Sequence, residues 1–389
     1  MVRPNVIFTQ SDIVDVVVLG AGVIGSCAAL SLRRAGQNTL LIEQYRLPHG
    51  RGSSGGLARI IRLANTGPPQ LTPIMDDAYR QWMKLSDIVK EELISPAPFL
   101  VVSQREESIR KAAASVELGG KVPIWLTPAQ ANAKYSTRFT DDFRIFEDTM
   151  AGVIRADRCV AAVQRLYREA GGRVLDDWPV TEVRGGQPLL TLKGPRGDVQ
   201  ARALVLCAGP WTASLLEPLG VHLPLRPVRT KAMIWKNKTF PHACFVDLTD
   251  PNYFYVLPAL DAAGRCKVGH HGGIVTSPGG AEPDLSHLTK DSIVYFNKFF
   301  PFEEAKPEEE ELCWYTVTPD KECILDRCPR HSNIVYAAGF TGTGFKLAPT
   351  VGNILTGMVL GHDHGFDISP FAAQRFAHFK NPLPLNSKY

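Results

Sequence analysis

Three glycines at fixed spacing, Gly20-x-Gly22-x-x-Gly25, constrain this chain more than any other feature. They end the apolar run that starts at Asp15, and they open a segment with Ile24, Ala28 and Leu32 at helical spacing that stops at Gly36. Thr39-Leu-Leu-Ile-Glu43 then reads as a second buried strand. The strand–helix–strand unit is about thirty residues long, the size a parallel crossover needs. A glycine turn at a helix start turns N–H groups toward a ligand and suits a pyrophosphate, while Glu43 at the tip of the second strand is placed to accept hydrogen bonds from a ribose. The motif serves FAD and NAD alike. No second nucleotide-type domain follows, as an NAD dehydrogenase would require, and a late glycine-rich strand-to-helix segment returns to the first domain, which favours FAD.

Downstream, Arg51-Gly-Ser-Ser-Gly-Gly56 is a loop that bends sharply and brings backbone N–H groups close to a ligand. Val160, Val163 and Leu166 share a helix face, Gly171-Gly172 ends that helix, and Arg173 starts a strand. Between about 221 and 313 the pattern turns aromatic and β-like, as in Tyr253-Phe-Tyr-Val-Leu257. Asn333 to Gly339 returns to the buried-strand type, and Val351, Ile354, Leu355 and Met358 mark a closing helix. The acidic run Glu308 to Glu311 reads as a solvated helix or loop face. A net charge of +4 without a basic block makes nucleic acid an improbable partner. Eight cysteines without metal-ligand spacing argue against a structural metal and a disulfide framework, and hence for a reducing compartment. Met1 to Asp12 reads as no leader, and no apolar window is long enough to span a membrane.

Several segments in order carry a resemblance across most of the chain. Arg51 to Arg62, Ala208-Gly-Pro-Trp211, Lys267-Val-Gly-His-His-Gly272, Glu311-Leu-Cys-Trp-Tyr-Thr-Val-Thr-Pro-Asp320 and Asn333 to Pro349 together resemble the monomeric sarcosine oxidase and L-pipecolate oxidase family of FAD-dependent amine oxidases. The resemblance implies an α/β protein, a Rossmann-type FAD-binding domain with an inserted β-sheet-rich substrate domain. The expected FAD-binding parts are 13–80, 151–220 and 313–380, and the expected substrate-domain parts are 81–150 and 221–312.

It also implies roles. FAD would be bound covalently through the sulfur of Cys313, with contacts from Gly20, Gly22, Val23, Ile24 and Gly25, from Glu43 and Gln44, and from Ser53, Ser54 and Arg59. Further contacts would come from Val180, Ala208, Gly209 and Trp211, and from Gly339, Phe340, Gly342, Gly344, Phe345 and Lys346. Arg59 would stabilise the anionic reduced flavin, and Arg62 and Lys346 would clamp the substrate carboxylate. Lys267 would activate dioxygen by stabilising developing negative charge. Tyr255 and His271 would line the amine pocket; His270 and His271, adjacent on a strand, must point to opposite faces. Taken without the resemblance, each of these has an ordinary reading: a core thiol for Cys313, surface cations for the arginines and Lys267, a structural imidazole for His271.

Three positions depart from the family pattern. Gly55 and Thr343 stand where histidines are usual, and Ala58 replaces a small hydroxyl residue. The expected activity is oxidation of a small secondary amino acid, such as sarcosine, L-pipecolate, L-proline or a larger N-alkyl amino acid, to an imine, with dioxygen reduced to hydrogen peroxide. The alternatives are a flavin-dependent dehydrogenase using another acceptor and a non-catalytic flavoprotein. The resemblance favours a monomer. Ser387-Lys388-Tyr389 is similar to a peroxisomal address, with the cytoplasm as the alternative.

Overall fold

A strand as apolar as Val16 to Leu19 is stable only with both faces covered, which a parallel sheet flanked by helices provides. In the computed structural model, which describes residues 13–389 apart from 187, 237–242, 251–252, 259–263, 302–304 and 380–383, it lies inside an eight-stranded sheet. The sheet runs β10 (Glu182–Arg184), β11 (Leu190–Gly194), β12 (Gly197–Leu206), β1 (Val14–Leu19), β2 (Thr39–Ile42), β9 (Arg173–Leu175). β20 (Ile334–Ala338) pairs with the end of β12, and β19 (Ile324–Arg327) pairs with β20. β1, β2, β12 and β20 are parallel, so the start, middle and end of the chain meet in one sheet. The segment before residue 13, read as lacking a leader, lies outside the described residues.

α1 (Val23–Arg34) packs against α5 (Ala156–Glu169) and α8 (Gly344–Leu360), and α8 also against α2 (Leu71–Val89). At the α1–α8 crossing a Cβ on Gly352 would lie 2.8 Å from the Cys27 carbonyl carbon, so the two helices meet backbone to backbone. Ser31 Oγ then reaches Asn353 Oδ1 at 2.8 Å. The other α-helices among the described residues are α3 (Glu106–Leu118), α4 (Pro128–Tyr135), α6 (Thr212–Leu216) and α7 (Ser286–Phe299). None of the helices described is long and apolar enough to cross a membrane.

A second sheet has nine strands, in the order β17 (Ile274–Val275), β13 (Arg226–Lys236), β16 (Arg265–His270), β15 (Phe254–Leu257), β14 (Cys244–Asp247), β5 (Phe99–Ser103), β7 (Arg144–Asp148), β6 (Ile124–Leu126). β18 (Glu309–Val317) runs antiparallel along β13. Phe245, Phe296, Phe299 and Phe300 cluster between this sheet and α7. A three-stranded sheet, β3 (Ala58–Ile61), β8 (Gly152–Arg155) and β4 (Ile94–Pro96), joins the segments around it.

One sequence expectation is corrected here. The acidic run does not lie on a helix or loop: Glu309 to Glu311 begin β18, where Glu309 and Glu310 stay exposed, Glu311 is half-buried, and Arg265, Lys231 and Lys267 pair with them in turn. β18 runs unbroken through 312 and 313 in the nine-stranded sheet.

Candidate active site

Gly20 has φ +103, and a Cβ there would lie 2.4 Å from the Cys207 carbonyl oxygen; one on Gly25 would lie 1.9 Å from the Gly20 oxygen. Only glycine closes this turn between β1 and α1. Gly22 caps α1 in extended conformation without a side-chain cap, so N–H groups of the first turn face outward. The Val23 N–H donates to Ser54 Oγ at 3.0 Å, which ties the 51–56 loop to that turn. Glu43 accepts from the backbone N–H of Ala21 at 2.9 Å and of Tyr45 at 3.1 Å.

Arg59 lies inside the loop and ties it down, its guanidinium donating to the carbonyls of Ala58, Ser53 and Gly55 at 2.8, 3.0 and 2.5 Å. A Cβ on Gly55 would come within 2.9 Å of Gly50 Cα, so this tight loop has no room for the histidine usual there. Beyond β3 the chain turns, and buried Asp148 holds the turn by accepting from the backbone N–H of Leu63 and Ala64, both at 2.8 Å. That brings Arg62 to the same cavity as Arg59. Arg62 is 9% exposed, donates to the Ala64 carbonyl, and lies over the Phe99 ring. Burial pulls its guanidinium below the usual range, while Tyr253 and Asp148 oppose the shift.

The nine-stranded sheet supplies the facing wall. Tyr255, Lys267, His271 and Cys313 come from β15, β16, the residue after β16, and β18. Burial pushes the Cys313 thiol up, and the Lys267 and Arg59 charges pull it down. Lys267 is 3% exposed and pairs with both Glu311 oxygens at 3.1 Å, so it faces inward rather than into solvent. His270 stacks on Phe254 while His271 stacks on Tyr253, so the adjacent imidazoles do point apart. Burial first, then Lys321, His270, Lys346 and Arg62, drives the His271 pKa down to about 3, leaving a neutral ring at neutral pH.

The third wall is the β20–α8 connection. Gly339 and Gly342 have φ +66 and +84, and a Cβ on Gly342 would sit 2.9 Å from His271 Cε1. Phe345 stacks on Trp82 at 6.0 Å, and Trp82 Nε1 donates to the Lys346 carbonyl at 3.2 Å. Lys346 is thereby fixed in the first turn of α8. Its ammonium is held well below its ordinary range, by burial first and the Arg62 charge second, with Glu322 pulling the other way. Thr343 Oγ1, at the position where histidine is usual, donates to the Phe340 carbonyl at 2.7 Å. Ala58 is fully buried within β3.

One cavity of about 930 Å³ joins these walls. Every residue given a cofactor or substrate role from the sequence lines it except Gly25, which closes the turn behind it; Thr343 does not line it. The cavity runs from the α1 N-terminus past Ser53 and Ser54 to Cys313 and Lys346. Open helix N–H groups at one end and a glycine cradle that a Cβ would fill fit the phosphate and isoalloxazine ends of FAD. Tyr253, Tyr315 and Phe99 also line it and were missed in the sequence. Strand alternation could have found two of them, since Tyr253 lies two residues before Tyr255 and Tyr315 two after Cys313. No sequence signal marks Phe99. Nearby, Ser387 and Tyr389 pair with the β17 segment, and the Tyr389 ring lies 5.9 Å from His271.

The sequence profile of the FAD dependent oxidoreductases matches residues 15–358. The mouse (Mus musculus) peroxisomal sarcosine oxidase is 34% identical over 393 residues, covering 95% of this chain and 97% of that protein. The monomeric sarcosine oxidase of Bacillus sp. (strain NS-129) is 28% identical, covering 93% and 97%. Among solved structures, NikD, an unusual amino acid oxidase essential for nikkomycin biosynthesis, superposes with a TM-score of 0.83 at 21% identity, covering 93% of this chain and 98% of NikD.

Proposed function

This chain belongs to the FAD-dependent oxidoreductase family, and we propose that it oxidises a small secondary amino acid, N-methylated or cyclic, to the imine, with dioxygen as acceptor and hydrogen peroxide as the second product. The observation that carries the reading is the pair of buried cations, Arg62 and Lys346, beside a neutral imidazole in the cavity that also holds Cys313 and Lys267. Two like charges held together away from water are costly, and a substrate carboxylate relieves that cost. The names of the mouse and Bacillus relatives support an N-methyl amino acid as substrate.

FAD held in this cavity would supply a two-electron acceptor for the hydrogen on the carbon next to nitrogen, and dioxygen would be the final acceptor. The residues set the stage for that chemistry. Arg62 offers a planar fork to the carboxylate and Lys346 a second charge, which fixes the amine end toward His271 and Tyr255. Because His271 is neutral, it can accept a hydrogen bond from the amine, while the Arg62 and Lys346 charges in the same cavity disfavour a protonated nitrogen and so favour the oxidisable form. Cys313 would hold the cofactor through its sulfur, and Arg59 would favour the anionic reduced form. Lys267 would stabilise the negative charge that develops on dioxygen.

The purified protein tests the reading in two steps. Yellow colour that stays in the acid-precipitated pellet, and leaves it in Cys313→Ala, establishes the covalent link; flavin in the supernatant of the parent protein refutes it. Oxygen uptake with a panel of secondary amino acids then tests the activity, and no uptake with any of them overturns it, with a dye-linked anaerobic assay reporting a dehydrogenase instead. We infer a monomer and, from the mouse relative, a peroxisomal location.

A further inference from the structure

Lys267 and Glu311 lie on two strands that flank the same strand. Lys267 on β16 pairs in register with Ile234 of β13, and Glu311 on β18 pairs with Ala232 of β13. Both side chains project to the cavity side, and both carboxylate oxygens of Glu311 lie 3.1 Å from the Lys267 ammonium. Cys313 is two residues further along β18, on the same face. The carboxylate has been given a seat: Gly56 has φ +89, and a Cβ there would fall 1.7 Å from Glu311 Oε1.

A buried ion pair is a poor source of stability, since apolar residues of similar size often do as well. Its placement at the cavity suggests another use. The charged and titratable groups acting on Lys267 are Arg59 from β3 and Glu311 and Cys313 from β18; Tyr255 on β15 has the same three groups as neighbours. Burial first and Arg59 second disfavour the ammonium, while Glu311 and Cys313 favour it. Once its sulfur is in a thioether, Cys313 carries no charge. Glu311 is then the group in this set that keeps Lys267 cationic.

We propose that Glu311 is a positioning residue for the reaction with dioxygen: it holds the Lys267 ammonium, charged and in place, at the cavity wall beside Cys313. The inference rests on the oxidase reading above. It assigns Glu311 no contact with substrate.

The test separates the two half-reactions of the holoenzyme in Glu311→Gln and Glu311→Asp. Reoxidation by dioxygen should slow at least about tenfold in Glu311→Gln, and its alkaline fall-off should move to lower pH by about one unit or more. Anaerobic reduction by the amine should change less than about threefold, and Glu311→Asp should recover part of the reoxidation rate. A second readout needs no turnover: in a thermal-unfolding cycle, Glu311→Gln should lower Tm in the parent protein and much less in Lys267→Met. Additive Tm changes, or a reoxidation rate and pH profile unchanged in Glu311→Gln, overturn the inference. A parent protein that dioxygen does not reoxidise overturns the oxidase reading itself, and this role with it.

Discussion

The rings of His271 and Tyr253 lie face to face, 4.4 Å between centroids and 3° between planes, and the His271 backbone N–H donates to the Tyr253 carbonyl at 2.8 Å. The stack buries an imidazole among cations, so its folded-state pKa of about 3 lies below the ordinary value of 6.5. A depressed pKa contributes stability above the unfolded value that is lost as pH falls from there toward the folded value. Replacing His271 with Asn should therefore flatten the acid side of the stability profile. Between pH 7.5 and 5 the parent protein should lose about 2 kcal/mol more than the variant, measured by urea unfolding at both pH values.

Glu322 moves the opposite way. Burial first, then the Asp320 charge, raises its carboxyl pKa to about 7, while Arg375 and Lys346 pull it down. A raised carboxyl pKa gives stability that is full below the unfolded value of 4.5 and lost as pH rises through the folded value. Glu322→Gln should gain about 2–3 kcal/mol relative to the parent at pH 8.5 and nothing at pH 4.5. Thermal melts across that range read the crossover.

The carboxylate clamp is tested by Lys346→Met, which keeps the length and apolar contacts of the side chain. KM for the amino acid should rise about tenfold to a hundredfold, the worth of a charge-assisted hydrogen bond. A secondary amine of the same size without a carboxylate should show no such rise. Equal losses for both compounds would assign Lys346 to packing.

Gly56 is a backbone position with no spare volume. Gly56→Ala places a methyl group on a residue with φ +89 and drives it into the Glu311 carboxylate. Strain of about 1–3 kcal/mol is expected from the backbone alone, together with a displaced Glu311 and a lower flavin content. An unchanged melting temperature and full flavin content would show that the loop can yield.

How far the molecule was legible from the sequence can be seen in the arginines and the acidic run. Arg59 and Arg62 were recognisable by segment likeness, yet three residues apart on an extended chain they should diverge; the turn after β3, pinned by Asp148 from a distant strand, brings both to one cavity. Nothing in the local pattern names Asp148 as that anchor. Glu308 to Glu311 read as a solvated face because a charge run usually is one, and Glu309 and Glu310 are exposed; only the pairing of β18 along β13 shows Glu309, Glu310 and Glu311 each meeting a cation.

The sequence by itself determined the nucleotide-binding unit, the return of the chain to it through Asn333 to Pro349, and the residue types available to the chemistry. Those properties are local: a strand, a glycine turn and a helix are adjacent in the chain, and their spacing suffices to specify them. The tertiary structure decided which charges meet, that His271 stays neutral, and that Lys267 faces Glu311 rather than solvent. Ionisation depends on burial and on the nearest opposite charge. Both are set by strands brought together from distant sequence: Lys267 and Glu311, 44 residues apart, meet because β16 and β18 flank β13.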